Sequence, residues 1–117
     1  MDKSLRVLVT GGAGFIGSNL VKALLSHNHE VIVLDDFSTG LKSNISGLEV
    51  EVFAGSVANK KILSEASRSV DSIVHLAARG SVPRSIRNPQ ATFDVNVQGT
   101  LNICEIAREH LLPVVFS

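Results

Sequence analysis

A doubly wound parallel α/β sheet is the fold this sequence predicts, and three observations predict it. Five short runs rich in Val, Ile and Leu alternate with segments of helical periodicity. Strands joined by helical crossovers run parallel. The runs are near-continuously apolar, which suits strands covered on both faces. Four glycines fall within seven residues at the first strand–helix junction, in VLVTGGAGFIGSNLV, where a tight turn opens a helix.

The elements follow in order. Leu5 to Thr10 reads as a buried strand. Ile16, Leu20, Val21, Leu24 and Leu25 then trace one apolar helical stripe, which His27 to His29 ends. Glu30 to Asp35 is the second strand, and residues 36–48 are a loop of Ser, Thr, Gly and Asn. Leu48 to Ala54 is the third strand. A short helix begins at Asn59 or Lys60 and ends near Arg68. Asp71 to Ala77 is the fourth strand, followed by a polar loop with two prolines. Ala91 to His110 reads as a long helix with Phe93, Val97, Leu101, Cys104 and Ala107 or Arg108 on its inner side. Pro113 to Phe116 opens a fifth strand. The expected strand order is 3-2-1-4-5. Ligands of such sheets bind at the carboxyl ends of the strands where the order reverses, so the candidate residues lie just after Thr10, Leu34 and Leu76.

Composition narrows the class. A chain of 117 residues, 44 % apolar, suits one globular domain with a modest core. Eleven basic and eleven acidic side chains cancel, which argues against an electrostatic binder of nucleic acid or of a membrane surface. The one cysteine, Cys104, can form no intrachain disulfide and suits a reducing compartment. Lys3 and Arg6 precede an apolar run, but Thr10, the glycines, Ser18 and Asn19 interrupt it. No stretch approaches the ~18 apolar residues of a membrane span. The expectation is a soluble, cytoplasmic protein. The sequence stops at Ser117, on or just past the fifth strand, where a following helix is expected. A piece of a longer protein is therefore expected.

The glycines have a chemical reading. A helix N-terminus offers unpaired backbone N–H groups and a positive dipole end, which favour a pyrophosphate. Close approach needs a middle glycine with no side chain. The first glycine makes the turn, and the third packs helix against strand. Two registers fit: Gly12, Gly14 and Gly17 as G-x-G-x-x-G, or Gly11, Gly14 and Gly17 as G-x-x-G-x-x-G. Asp35 ends strand two eighteen residues after Gly17, where a carboxylate accepts both ribose hydroxyls of an adenosine. Strand, glycines, helix, strand and acid together indicate a dinucleotide site.

The segments VTGGAGFIGSNLV, VIVLDDFSTG, SIVHLAA, SVPRSIRNPQ and NVQGTLNICEIAR resemble successive signatures of the extended short-chain dehydrogenase/reductase family. Within it they are similar to the NAD-dependent sugar-nucleotide epimerases and dehydratases. The resemblance covers essentially the whole chain, as the N-terminal part of an NAD-binding Rossmann domain, and about the first third of a usual family member. The family register uses Gly11, Gly14 and Gly17. The resemblance implies that Phe15 and Ile16 offer N–H groups to the pyrophosphate of NAD. It implies that Asp35 holds the ribose while Asp36, Phe37, Ser38, Thr39 and Gly40 line the adenine side. Leu76, Ala77 and Ala78 would floor the nicotinamide half, and Asn96 would reach the cofactor from the long helix. The family often has an aspartate where this chain has Ser56, so the roles of Ser56 and Val57 carry no charge.

Gly80, Ser81 and Val82, in GSVPRSI, resemble the substrate-side loop of UDP-sugar 4-epimerases, particularly those accepting N-acetylhexosamines. The implied reaction removes hydride from carbon 4 of the sugar to NAD, turns the 4-keto intermediate and returns hydride to its other face. Implied partners are a UDP-sugar and, in the full-length protein, a second copy of the chain, with no nucleic acid, membrane or metal. The family's catalytic tyrosine and lysine lie beyond strand five. This sequence contains no tyrosine, so no catalytic residue is assigned within it, Ser117 included, and these residues alone are expected to be inactive. A sister dehydratase, decarboxylase or reductase is the first rival reading. A non-catalytic cofactor-sensing regulator is the second.

Other residues carry plainer readings. His75, beside the switch point, is a hydrogen-bonded core histidine or a base. Arg79, Arg84 and Arg87 form a solvated loop surface or meet a diphosphate. Cys104 is expected to be a small core residue, and Asn96 takes a ligand or a surface role.

Overall fold

The computed structural model describes residues 4–77 and 87–116. Five strands, β1 (Arg6–Thr10), β2 (Glu30–Asp35), β3 (Glu51–Ala54), β4 (Ser72–His75) and β5 (Val114–Phe116), form one sheet in the order β3-β2-β1-β4-β5. Every neighbouring pair is parallel. The order and direction are those the sequence predicts, and the topological switch lies between β1 and β4. Helices α1 (Phe15–Ser26), α2 (Lys60–Ala66), α3 (Pro89–Phe93) and α4 (Gly99–His110) supply the crossovers, with a single π-helical turn, Asp94–Gln98, joining α3 to α4. Among the described residues no helix is long and apolar enough to cross a membrane.

Side chains of a strand alternate between faces, and the two central strands bury both sets. Val7, Val9, Val31 and Val33 join Val21 of α1 on one face. Leu8, Ile32, Leu34 and Ile73 meet Leu63, Ile103 and Ile106 on the other. Coverage fails at the edges: Val52 of β3 and Val115 and Phe116 of β5 are exposed. Two-sided burial thus holds for β1 and β2 and not for the outer strands, which the crossover helices only partly overlie.

Two strands are shorter than their apolar runs. β3 begins three residues after Leu48, because Leu48 and Val50 turn into the α1-side core without joining the ladder. β4 ends at His75: the Leu76 amide is shared between the Thr10 carbonyl at 3.1 Å and the Thr10 hydroxyl at 3.0 Å, and the Ala77 amide turns to the hydroxyl at 3.2 Å. Asn59 caps α2, its side chain accepting from the N–H groups of Lys61 and Ile62 at 3.1 and 3.3 Å. Asn88 caps α3 the same way through Ala91 N–H, with Pro89 at the first helical position.

The long helix differs most from expectation. It starts two residues earlier, and its predicted inner side faces outward. Phe93, Val97 and Leu101 are 52 %, 52 % and 49 % exposed, and Cys104 is exposed. Arg108 is exposed and Ala107 only half-buried. The buried side is instead Val95, Gly99, Asn102, Ile103 and Ile106. Three causes act together. The π turn inserts a residue and rotates the face of α4 relative to α3. The helix crosses Val57 so closely that a Cβ on Gly99 would sit 2.4 Å from a Val57 methyl. And the Asn102 amide donates to the carbonyls of Val57 and Ala58 at 2.9 and 3.1 Å, which draws a polar residue inside.

Candidate functional site

The glycine turn closes β1 and opens α1, and each glycine answers a different constraint. Gly11 has a φ of +74°, and a Cβ there would lie 2.9 Å from the Ala77 nitrogen. At Gly17 a Cβ would lie 2.2 Å from the Gly11 carbonyl oxygen, so this glycine is fixed by packing. At Gly14 the nearest protein atom to a Cβ is 3.4 Å away, an ordinary contact. The protein itself therefore tolerates a side chain at Gly14, and what a side chain there would fill is the open space in front of the turn. Turn, clearance and packing fall on Gly11, Gly14 and Gly17, the longer of the two registers. Gly12 is fixed too, since a Cβ would strike Val33 at 2.8 Å.

The helix that follows is left uncapped. Gly14 is its N-cap and has no side chain, and no acidic residue lies in the first turn. The first amides of a helix have no intrahelical acceptor. Those of Phe15, Ile16 and Gly17 sit at the mouth of a depression lined also by Gly11, Gly14 and Leu76. The side chains of Phe15 and Ile16 are 82 % and 67 % exposed, which leaves the backbone side open.

The neighbouring cleft crosses the ends of β1, β2, β3 and β4. It brings together Gly11, Gly14, Asp35, Asp36, Ser38, Thr39, Gly40, Ser56, Val57, Leu76 and Ala77, all singled out in the sequence. Three further lining residues were missed: Leu34, Gly55 and Val95. Each directly precedes a residue that was singled out (Asp35, Ser56, Asn96), so the neighbouring position was the available signal. Phe37 does not line the cleft. Its ring packs against the α1-side core, with the Lys42 ammonium 5.5 Å from its centroid. Asn96 lies half-buried in the π turn, next to the lining residue Val95. Ala78, Gly80, Ser81, Val82, Arg79 and Arg84 lie outside the described residues, and Arg87 is exposed.

Asp35 organises the end of this cleft nearest β2. Its Oδ2 accepts from Ala13 N–H at 2.9 Å and its Oδ1 from Phe37 N–H at 2.8 Å. A carboxylate has about four lone-pair directions, so two remain for hydroxyl donors. Gly40 passes so close that a Cβ there would lie 3.0 Å from Oδ2. Asp36 accepts Ser38 N–H at 2.9 Å, which shapes the loop after β2. Ser56 accepts from Ala58 N–H at 3.1 Å, and its hydroxyl proton remains available to a ligand acceptor. Asn102, which the sequence did not mark, anchors this loop to α4 through the Val57 and Ala58 carbonyls.

At the other end, His75 is buried as expected of a hydrogen-bonded core histidine. Its Nδ1 lies 2.7 Å from Thr10 Oγ1 and its Nε2 3.2 Å from Thr100 Oγ1. Burial pushes its pKa below the ordinary histidine value and so favours the neutral ring. Uncapped amides able to meet a diphosphate, a carboxylate able to accept hydroxyls and an apolar floor thus line a depression and a cleft that adjoin at Gly11, Gly14 and Leu76. The donor set fits a dinucleotide.

Comparison with known proteins gives the same picture. The family described as NAD dependent epimerase/dehydratase matches residues 7–117. The UDP-glucose 4-epimerase of Neisseria meningitidis serogroup B is 36 % identical, covering 96 % of this chain and 36 % of its own length. UDP-glucuronic acid decarboxylase 1 of Arabidopsis thaliana is 42 % identical, covering 91 % of this chain and 24 % of its own. The crystal structure of the Thermus thermophilus UDP-glucose 4-epimerase in complex with NAD superposes with a TM-score of 0.84 at 40 % identity. It covers 92 % of this chain and 35 % of that one. The chain thus spans about a third or less of the length of these relatives.

Proposed function

Because the chain belongs to the NAD dependent epimerase/dehydratase family of enzymes, we propose that it is the cofactor-binding part of a UDP-sugar 4-epimerase. The observation that carries the reading is that the depression at the Phe15–Gly17 amides shares Gly11, Gly14 and Leu76 with the cleft that holds the Asp35 carboxylate. NAD bound there would supply a hydride acceptor and donor for carbon 4 of a sugar. The chain's own residues bind and orient. Amides of Phe15 and Ile16 hold the pyrophosphate and Asp35 the adenosine ribose. Leu76 and Ala77 floor the nicotinamide end and exclude water from one face. Asn96 serves from the π turn beside the cleft, and the family resemblance gives Ala78 a role toward the cofactor and Gly80, Ser81 and Val82 a role toward the sugar. Proton transfer falls to groups outside this sequence, which has no tyrosine, so the 117 residues alone bind cofactor without turning over sugar.

A second reading is a UDP-glucuronate decarboxylase, favoured by the 42 % identity to that relative. The partner in solution is a second copy of the chain, supported by the outward apolar stripe Phe93, Val97 and Leu101. A cytoplasmic setting fits the single, unpaired cysteine. The test is to supply the full-length protein with NAD and offer UDP-glucose, UDP-N-acetylglucosamine and UDP-glucuronate separately. Interconversion of either of the first two with its 4-epimer supports the epimerase. Release of carbon dioxide from the third, with no epimer formed, replaces it with the decarboxylase. Absence of all three products, with NAD bound, leaves the regulator.

A further inference from the structure

The hydrogen bonds around His75 run in a single direction. Thr10 Oγ1 accepts from Leu76 N–H at 3.0 Å, an amide it shares with the Thr10 carbonyl at 3.1 Å, and from Ala77 N–H at 3.2 Å. Both lone pairs of the hydroxyl then face amides, and among the described residues its own proton has one partner left, His75 Nδ1, 2.7 Å away. Nδ1 is therefore an acceptor, and the ring proton sits on Nε2. Nε2–H points at Thr100 Oγ1, 3.2 Å away, and the Thr100 hydroxyl donates to the Asn96 carbonyl at 2.8 Å. The Phe116 ring stands edge-on to the imidazole, centroids 5.8 Å apart, and limits its rotation.

We propose that Thr10, His75 and Thr100 form a positioning relay that fixes Leu76 and Ala77 against the π turn carrying Asn96, and so sets the nicotinamide end of the cleft. The proposal rests on reading that cleft as the NAD site. Each residue type is required. Only a hydroxyl can accept two amides and still donate. Only a ring with two opposed nitrogens joins the strand end to the helix while accepting on one side and donating on the other. An imidazolium would bring a second proton to Thr10, whose lone pairs are already taken, so protonation opens the relay at that contact. Burial of the ring disfavours the charged form in the same sense. A histidine that merely fills space would need no defined tautomer and no hydroxyl at either end.

Two measurements on the full-length protein test this. The first is nitrogen NMR of labelled histidine, with His75→Asn used to assign the signal. A neutral ring with its proton on Nε2 near pH 7 is expected. A proton on Nδ1, or a charged ring, overturns the relay whatever the cleft binds. The second is NAD titration by calorimetry. Thr100→Val keeps the shape of the side chain and should weaken NAD about fivefold, the worth of one hydrogen bond. Thr10→Ser keeps the hydroxyl and should bind within about twofold of the unmutated protein, while Thr10→Val should not. Unchanged affinity in folded Thr100→Val overturns the relay. An unmutated protein that binds no NAD overturns the reading of the cleft instead, and the tautomer then decides the relay by itself.

Discussion

The glycine turn at residues 11–17 and the helical run at 89–110 are both apolar-flanked segments at the same crevice, yet they obey different rules. In the turn, local backbone chemistry dictates the structure. Gly11 takes a positive φ and Gly17 meets a carbonyl oxygen, so the sequence states what the chain does there. In the long helix, periodicity states only that a helix forms. Its rotation about its axis is settled by the tertiary contacts of Gly99 and Asn102, whose partners Val57 and Ala58 lie in the loop after β3. A local constraint is legible in one sequence, whereas a choice between two amphipathic faces is not.

The contrast is broken most severely at Gly17. A methyl there would occupy the same space as the Gly11 carbonyl, and backbone on both sides prevents relief. Gly17→Ala should cost about 3 kcal/mol or more of stability, or abolish folding. Chemical denaturation of the purified variant measures it. A loss under about 1 kcal/mol would mean the turn relaxes easily and that Gly17 is not fixed by packing.

Gly14 sharpens the comparison, because the same element should respond in affinity where Gly17 responds in stability. A Cβ at Gly14 meets nothing closer than 3.4 Å, and its backbone is extended, with φ −75° and ψ 177°. Gly14→Val should therefore fold. Its side chain would fill the space in front of the Phe15 and Ile16 amides, and losing two charge-assisted hydrogen bonds should weaken NAD about 100-fold. Equal affinity in a folded variant would remove the pyrophosphate from this turn.

The strand order and much of the cleft were readable because each rests on a local pattern: β-branched runs, a strand-to-helix junction, an acid at a strand end. The residues alone left two glycine registers open, and the family resemblance chose between them. What escaped depends on the third dimension. Phe37 follows Asp35 and Asp36 in a loop, yet it turns inward because its φ of 58° swings the side chain toward the α1-side core. Cys104 and Leu101 have core-like chemistry at helical spacing, yet they face out because the π turn and the Val57 contact choose the other stripe. Asn102 went unmarked in the sequence, and it is 3 % exposed because its amide bonds two carbonyls of a neighbouring loop.

Asp35 gives an intermediate effect. An adenosine 2′-phosphate would bring like charge against its carboxylate, and no Arg or Lys lies between Asp35 and Leu41 to offset it. The full-length protein should bind NAD at least about tenfold more tightly than NADP. The structure adds that Asp35→Ala also strands the Ala13 and Phe37 amides, so that variant loses stability together with cofactor. Asp35→Asn keeps one carbonyl oxygen as an acceptor and should separate the two effects. Equal NAD and NADP affinity in the unmutated protein would mean that Asp35 does not touch the ribose.

His75 should respond to pH. Its folded pKa lies below the ordinary value of 6.5 because burial disfavours the charged ring. Below about pH 6.5 the unfolded chain therefore binds a proton that the folded chain refuses. The contribution to stability is fully present above that pH and is lost as pH falls toward the folded pKa. Urea unfolding at a series of pH values should show a steeper acid limb for the unmutated protein than for His75→Gln. Parallel curves would mean that His75 titrates alike in both states.

The smallest effect on the domain itself should come from the stripe that the sequence placed inside. Leu101 is 49 % exposed, so Leu101→Lys should leave the fold and NAD affinity nearly as they are, within about 0.5 kcal/mol for an exposed site. Had Leu101 been a core residue, a charged replacement would cost several times that, since truncating a buried leucine alone costs about 2–5 kcal/mol. Association should respond instead. Phe93, Val97 and Leu101 recur at every fourth position on the outer flank, the spacing by which helices pack on one another. A lysine at the end of that stripe would have to be desolvated with no partner. Sedimentation of the full-length protein should shift from dimer toward monomer in Leu101→Lys, with cofactor binding retained. A variant that remains a dimer would take this stripe out of the interface. A variant that unfolds before it dissociates would put Leu101 back in the core, where its periodicity first placed it.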